Sequence, residues 1–465
     1  MTQTIPADRD GFETWCRDSR IHTVVVGSAD SNAMWIGKRM PVDDFLRLMD
    51  AHGVPFCDVF FAITRSGEDV VEPAGGEEFP TYFPRKEQGY PDIFLHPDLG
   101  TARRLVWHDG TVSVGGTFRL PNGEPVPIAP RNVLQRQVAK AADLGIEAKV
   151  GFEFEFYLLR GGLESLRASG YDLQPLSVRP YTYSVFRSSV DNELLTSLRG
   201  SLEAAGIHVE ALNPETGPGQ YELNTRYVEA MRAGDDAFLY KNALKELVVP
   251  QGLMATFMAR PRRDWPSSSC HLHQSLWSTE TGEPLLASGE GELDLSSTGR
   301  YYLGGLLATM ADFAAVFWPT VNSYKRPMPY SWAATTESWG YDNRSVAVRV
   351  VGEDRPSYRF EHRMPGADVN PYLAIAACLA GGLHGIENKI EPPDPVLADA
   401  YVDEKLKPLP HTLSQALDLL EGSTVARSCF GNDFVDHYVA MKRWEVAEYD
   451  QEVSDWEVRH YVETA

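Results

Sequence analysis

The clearest alternation of apolar and polar residues runs from Lys149 to Leu159, KVGFEFEFYLL, where Phe152, Phe154 and Phe156 interleave with Glu153 and Glu155. Period two predicts a strand that carries both carboxylates on one face. Such a pair repels itself and loses hydration unless a cation sits beside it. The stretch therefore predicts either a metal-binding strand or a half-buried one whose glutamates meet solvent or arginine.

Helical spacing predicts helices at Val42–His52, Arg131–Leu144 with Gly145 closing it, Asn192–Ala205 closed by Gly206, Asp235–Gln251, Tyr301–Trp318 and Pro371–Ile386, with a charged helical tail over Pro410–Ala465. Strands are predicted at Ile21–Val26, Ala102–Trp107, Val112–Phe118 and Ile207–Leu212, within Ala255–Trp277, and at Val346–Val351 and Tyr358–Met364. The segment SADSNAMWIGKR and residues 66–92 and 278–300 read as loops. Leu120–Pro130, LPNGEPVPIAP, holds four prolines and a glycine and reads as a turn or linker, which divides the chain into 1–120 and 121–465. A strand-rich centre among helices makes the fold class α+β.

Composition narrows the function. The chain has 43 basic against 65 acidic residues, a net charge of -22, which argues against nucleic acid or an anionic membrane as partner. Anionic substrates would need a local arginine cluster. Five scattered cysteines without a CxxC pair suggest neither a disulfide framework nor a structural zinc site, and they fit a reducing, cytoplasmic compartment. The N-terminal stretch lacks the basic start and apolar core of a secretory leader. The longest apolar stretch, Tyr301–Val321, contains Asp312 and fits a buried helix better than a membrane span. Gly37-Lys38 is no phosphate-cradling loop, because Asn32 stands where that motif needs glycine.

Four further patterns repeat the logic of the first. Glu215 and Glu222 flank a Gly-Pro-Gly turn in PETGPGQYE, so a folded-back loop would bring two carboxylates together. His271 and His273 share a strand face in SCHLHQSLW. Glu361 and Arg363 share one in YRFEHRMP, where the plain alternative is a cross-strand ion pair. Arg326, Arg344 and Arg349 complete an arginine cluster unusual in so acidic a chain. Glutamates with one or two histidines, no cysteine ligands and several arginines point to hard divalent cations and phosphate chemistry.

The ordered set GFEFEF, E-x6-E around GPGQ, HxHxSLW, NSYKR, DNR, FEHR and NPYL resembles the glutamine synthetase superfamily over nearly the whole chain. The resemblance implies a small β-grasp N-terminal domain and a larger catalytic domain whose curved antiparallel sheet is surrounded by helices. It also implies a homo-oligomer, a dodecamer of two hexameric rings with active sites shared between neighbours. Carried over by position, Glu155, Glu215 and Glu222 would hold one Mg2+ or Mn2+, and Glu153, His271 and Glu361 a second. Glu210, His273 and Ser275 match nucleotide-contacting positions, Arg344 and Arg349 those that grip ATP phosphates, and Arg326 and Arg363 those that bind glutamate and the acyl phosphate. Asp30 matches the aspartate that binds and deprotonates ammonium from across the subunit boundary. The implied reaction is transfer of the ATP γ-phosphate to glutamate, followed by attack of an amine on γ-glutamyl phosphate.

The sequence departs from that pattern in places. Trp332 stands where glutamine synthetases proper place an ammonium-binding glutamate, which weakens an ammonium site and suits an organic amine through apolar contact and cation–π attraction. The segment Pro266-Ser-Ser-Ser-Cys-His271 lacks the asparagine that contacts the α-amino end of glutamate, and such Ser-Ser-Cys-His forms occur among γ-glutamylamine synthetases. Ala33 and Ile36 replace a glycine and an arginine near the amine entrance, and the regulatory tyrosine segment has no counterpart. The pattern thus favours a γ-glutamyl-amide ligase. The alternatives are glutamine synthesis from ammonia, which Asp30 permits, and a catalytically silent relative, which the complete ligand set disfavours.

Overall fold

The computed structural model describes residues 5–64, 81–179, 182–289 and 294–464. Most of the stretch expected as a loop at 66–92 lies outside these residues, as do four residues of the loop expected at 278–300.

The glutamate strand is longer than its alternation, running Ile146–Arg160. Phe152, Phe154 and Phe156 are fully buried on one face, whereas Glu153 and Glu155 stand half-buried on the other. Behind the phenylalanines lies the helix Ala230–Val248, whose Tyr240 meets Phe154 edge-on at 5.5 Å. The strand is the middle of a nine-stranded sheet ordered Trp339–Tyr341, Val348–Val351, Arg359–His362, Cys270–Ser278, Ile146–Arg160, Gln220–Thr225, Val209–Pro214, with two short strands on the flanks of the long one. The sheet is antiparallel apart from the edge pair Trp339–Tyr341 and Val348–Val351, which is parallel.

The first domain contains a hairpin, Thr23–Ala29 and Trp35–Pro41, a helix Val42–Asp50, and a later strand Thr111–Val114 parallel to the first, which is the β-grasp order. A second small sheet joins Val54–Cys57, Asp92–Pro97 and Gly116–Arg119. Each domain has its own apolar core, and the proline-rich stretch before Pro130 is not free, since Val126, Ile128 and Ala129 are buried in the first. Polar clamps join the two domains: Arg131 pairs with Asp98 and Asp235, and Lys442 donates to Asn32 at 3.0 Å.

Several elements differ from the sequence reading. The expected helix Tyr301–Trp318 is two, Ser297–Ala308 and Ala314–Phe317, because the Thr309 hydroxyl donates back to the Gly305 carbonyl and Asp312 turns aside to accept from Ser423. Ala255–Trp277 holds strands only at its ends, Leu253–Thr256 and Cys270–Ser278. Trp35–Pro41, within the expected loop, is an edge strand with mostly exposed side chains, so no apolar alternation marks it. No helix among the described residues is long and apolar enough to cross a membrane.

Candidate active site

Strand register builds the site. Antiparallel pairing sets Glu153 opposite Asn224 on one side and His271 on the other, Glu155 opposite Glu222, and His273 opposite Glu361, which in turn faces Arg349. Period two holds all these side chains on the face away from the phenylalanine core. The Gly-Pro-Gly turn folds back as expected: Glu215 donates its amide to the Gln220 carbonyl at 2.9 Å and brings its carboxylate to the same cavity as Glu222.

That cavity measures about 990 Å³ and is lined by Glu153, Glu155, Glu215, Glu222, His271 and Glu361, together with Arg344, Arg349, Arg363 and Trp332. A second cavity, of about 420 Å³, is lined by Glu210, His273 and Ser275, and meets the first at Glu153 and Asn224. Glu153 is the hub: its carboxylate lies 3.3 Å from His271 Nδ1 and 2.9 Å from His273 Nε2. Two trios have ligand atoms within 4.8 Å of one another, Glu153 with Glu222 and His271, and Glu153 with His273 and Glu361. The geometry thus draws Glu222 toward Glu153 and His271, whereas the family pattern groups it with Glu155 and Glu215.

Electrostatics divide the carboxylates into two kinds. Burial opposes ionisation of Glu153, but hydrogen bonds from His271 and His273 overcome it and hold the group far below the usual carboxylate range. Burial likewise works against Glu361, yet Arg363 and then the two histidines bring it down to about 2. Its carboxylate bonds Arg363 and, at 2.8 Å, Arg349, so the cross-strand ion pair is present as well. Glu222 moves the other way, pushed up to about 9 by burial and by Glu153 and Glu155, and Glu215 rises to about 7 by burial and Glu155. Among the described residues His271 Nε2 is buried without a hydrogen-bond partner. Crowded carboxylates that resist ionisation, beside an orphaned imidazole nitrogen and without a thiolate, fit hard divalent cations.

Two expected residues sit elsewhere. Arg326 is fully buried one layer behind the wall, where it donates to the carbonyls of Met364 and Arg363 and to Ser269 Oγ. It lines neither cavity, because the short turn Ser323–Lys325 tucks it inward. Asp30 lines neither cavity of its own chain; its carboxylate accepts the amides of Asn32 and Met34 at 2.8 Å, and Asn370 grips its carbonyl.

Sequence reasoning passed over three neighbours. Gln220 donates to Glu155 at 2.9 Å beside the Ser269 amide at 3.0 Å. Arg359 donates to His273 Nδ1 at 3.1 Å, which turns Nε2 toward Glu153. The period that pairs Glu361 with Arg363 also reaches Arg359, so that signal was available. Tyr183 lines the main cavity, largely exposed, near the charge of Glu215.

The glutamine synthetase catalytic-domain model matches residues 127–461. Glutamate–isopropylamine ligase of a Pseudomonas species is 39% identical over 447 residues, 95% of each chain. Gamma-glutamylethanolamide synthetase of Streptomyces coelicolor is 37% identical over 95% of this chain and 93% of its own. Among solved structures, a GmaS/ADP complex superposes with a TM-score of 0.83 at 27% identity, covering 98% of this chain and 100% of that one. With the carboxylate and histidine set gathered on one sheet face, the chain belongs to the glutamine synthetase family.

Proposed function

We propose that this protein is an ATP-dependent ligase that joins glutamate to an organic amine through γ-glutamyl phosphate. Members of its family depend on ATP and divalent metal. The observation that carries the reading is Trp332, an indole on the wall of the carboxylate-lined cavity where an ammonium site calls for negative charge. The similar ligases that act on isopropylamine and ethanolamine fit the same choice.

In this reading Glu155, Glu215 and Glu222 would hold one Mg2+ or Mn2+, and Glu153, His271 and Glu361 the other; Glu222 also lies within 4.8 Å of Glu153 and His271. Bound divalent ions supply neutralisation of the phosphoryl group in flight. Glu210, His273 and Ser275 seat the nucleotide in the smaller cavity, so its phosphates meet the larger one at Glu153. Arg344 and Arg349 steady those phosphates, and Arg363 binds the acyl phosphate. Arg326 acts on glutamate from behind the wall, through Ser269. Asp30 removes the amine proton in a neighbouring subunit's site, within two stacked hexameric rings in the cytoplasm. Its absence from both cavities of its own chain supports that division.

The reading is tested by incubating the protein with ATP, Mg2+, glutamate and a panel of amines that includes ammonia, while ADP and product mass are followed. Organic amines should surpass ammonia. Ammonia surpassing every organic amine would make it a glutamine synthetase, and no ADP with any pair would leave a silent relative.

A further inference from the structure

A third cavity, of about 520 Å³, opens beside the catalytic one and shares Tyr330, Trp332 and Arg344 with it. Its far wall is the segment 396–401, with Val396 and Leu397 facing Tyr401 and the tryptophan turn. We propose that this side cleft seats the organic group of the amine, and that the amine is a primary amine with an apolar alkyl or aryl body. The inference rests on the ligase reading above and deepens it.

The cleft is a built feature. Asn343 donates to the carbonyls of Val396 and Ala398 at 3.1 and 2.8 Å, Ser345 Oγ accepts the Ala400 amide at 2.9 Å, and Tyr401 donates to the Ala333 carbonyl at 3.0 Å. The wall is thereby fixed to the turn that carries Arg344 and leads into the strand of Arg349. Opposite it, Tyr330 and Trp332 both adopt φ of +61°, a conformation that bulky residues rarely accept, and the turn is locked by Ser331 Oγ on the carbonyls of Arg326 and Met328. Strain at two aromatic positions leaves both rings 63 to 68% exposed at the junction of two cavities, and Leu397 is 90% exposed across from them. Uncovered apolar side chains continuous with a catalytic cavity mark where an apolar part of a substrate goes.

Two carboxylates also line the cleft. Asp342 is already paired with Arg349, and the Asp399 carboxylate accepts the Tyr401 amide. Both lie exposed at the rim of the cleft, so the preference for an apolar body rests on Tyr330, Trp332 and Leu397 rather than on these acids. Arg363 donates to the Trp332 carbonyl at 3.2 Å, which sets the mouth of the cleft beside the arginine assigned to the acyl phosphate. An amine whose body lies in the cleft presents its nitrogen there.

The test is a series from methylamine to butylamine with benzylamine, 1,4-diaminobutane and ammonia, read as kcat/KM for wild type and Leu397→Asp, with KM for ATP as control. For the wild type, kcat/KM should rise about three- to fourfold per methylene until the cleft fills. Leu397→Asp should cut the butylamine-to-methylamine ratio about fivefold without moving the KM for ATP. If organic amines are used but the series is flat, or the variant lowers all amines alike, the cleft assignment is overturned and the ligase reading stands. Preference for the diamine over butylamine would overturn the apolar-body assignment. If no organic amine is used, the ligase reading itself fails.

Discussion

Glu222 and Glu215 are the site carboxylates whose ionisation the fold opposes. Their folded values of about 9 and about 7 lie above the ordinary 4.5, so in the metal-free protein they favour the fold below that value. The contribution is lost as pH rises through about 7 and then about 9. A cation must displace the protons it finds. Mn2+ titrated by calorimetry in buffers of differing ionisation enthalpy should release more protons at pH 6, where both groups hold theirs, than at pH 8, where Glu215 has lost its own. Glu155 is different in kind, held by Gln220 and the Ser269 amide. Glu155→Ala should lower phosphoryl transfer by ~100-fold or more while the circular dichroism spectrum stays the same. Activity that survives at ordinary Mg2+ would remove Glu155 from the metal set.

At the scale of elements, the long strand and its neighbours were legible in the sequence because period two is a local signal and the chemistry rides on it. Glu153, Glu155, His271, His273, Glu361 and Arg363 each declared a face. Which glutamate lies opposite which histidine was not legible, because register is set by contacts between strands far apart in sequence. Gln220–Thr225 escaped notice for another reason: its first four residues are all buried, which erases alternation. The depth of Arg326 was not legible either, because residue type and motif do not say how far a side chain lies behind the wall. Helix packing supports the sheet from behind, and there Pro371–Asn388 crosses Ser297–Ala308 through glycine. A Cβ at Gly385 would stand 2.1 Å from the Tyr301 carbonyl oxygen and 2.5 Å from the Gly305 nitrogen, both backbone atoms. Gly385→Ala should therefore cost about 1–3 kcal/mol and lower the melting temperature. An unchanged melt would mean that the two helices separate freely.

For the whole molecule, the question is what Asp30 serves. Its loop is tied to the catalytic domain of its own chain twice, by Asn370 on the Asp30 carbonyl and by the buried Lys442 on Asn32. Lys442 also bonds Glu445, which accepts the amide of Val321 just before the arginine-bearing turn. If each site is completed by a neighbour, Asp30→Asn and Glu155→Ala subunits are both inactive alone but carry complementary defects. Mixed and reassembled, they should recover a fraction of wild-type turnover, up to about a quarter if one composite site in four is intact. Recovery of nothing from properly assembled mixtures would confine each site to one chain.

The tether from Arg363 to the tryptophan turn carries a consequence for redesign. Arg363 holds position 332 by its carbonyl oxygen, a group that all twenty amino acids offer, so the side chain there is left to vary while its anchor stays. The phosphate chemistry sits on the sheet, and the aromatic turn hangs from it by main chain alone. Positions 330 and 332, both at φ of +61°, thus form a cassette open to unbranched side chains. A library randomised at these two sites would explore amine choice with the strand-borne carboxylates and histidines untouched, and a lineage could change its substrate by the same short route.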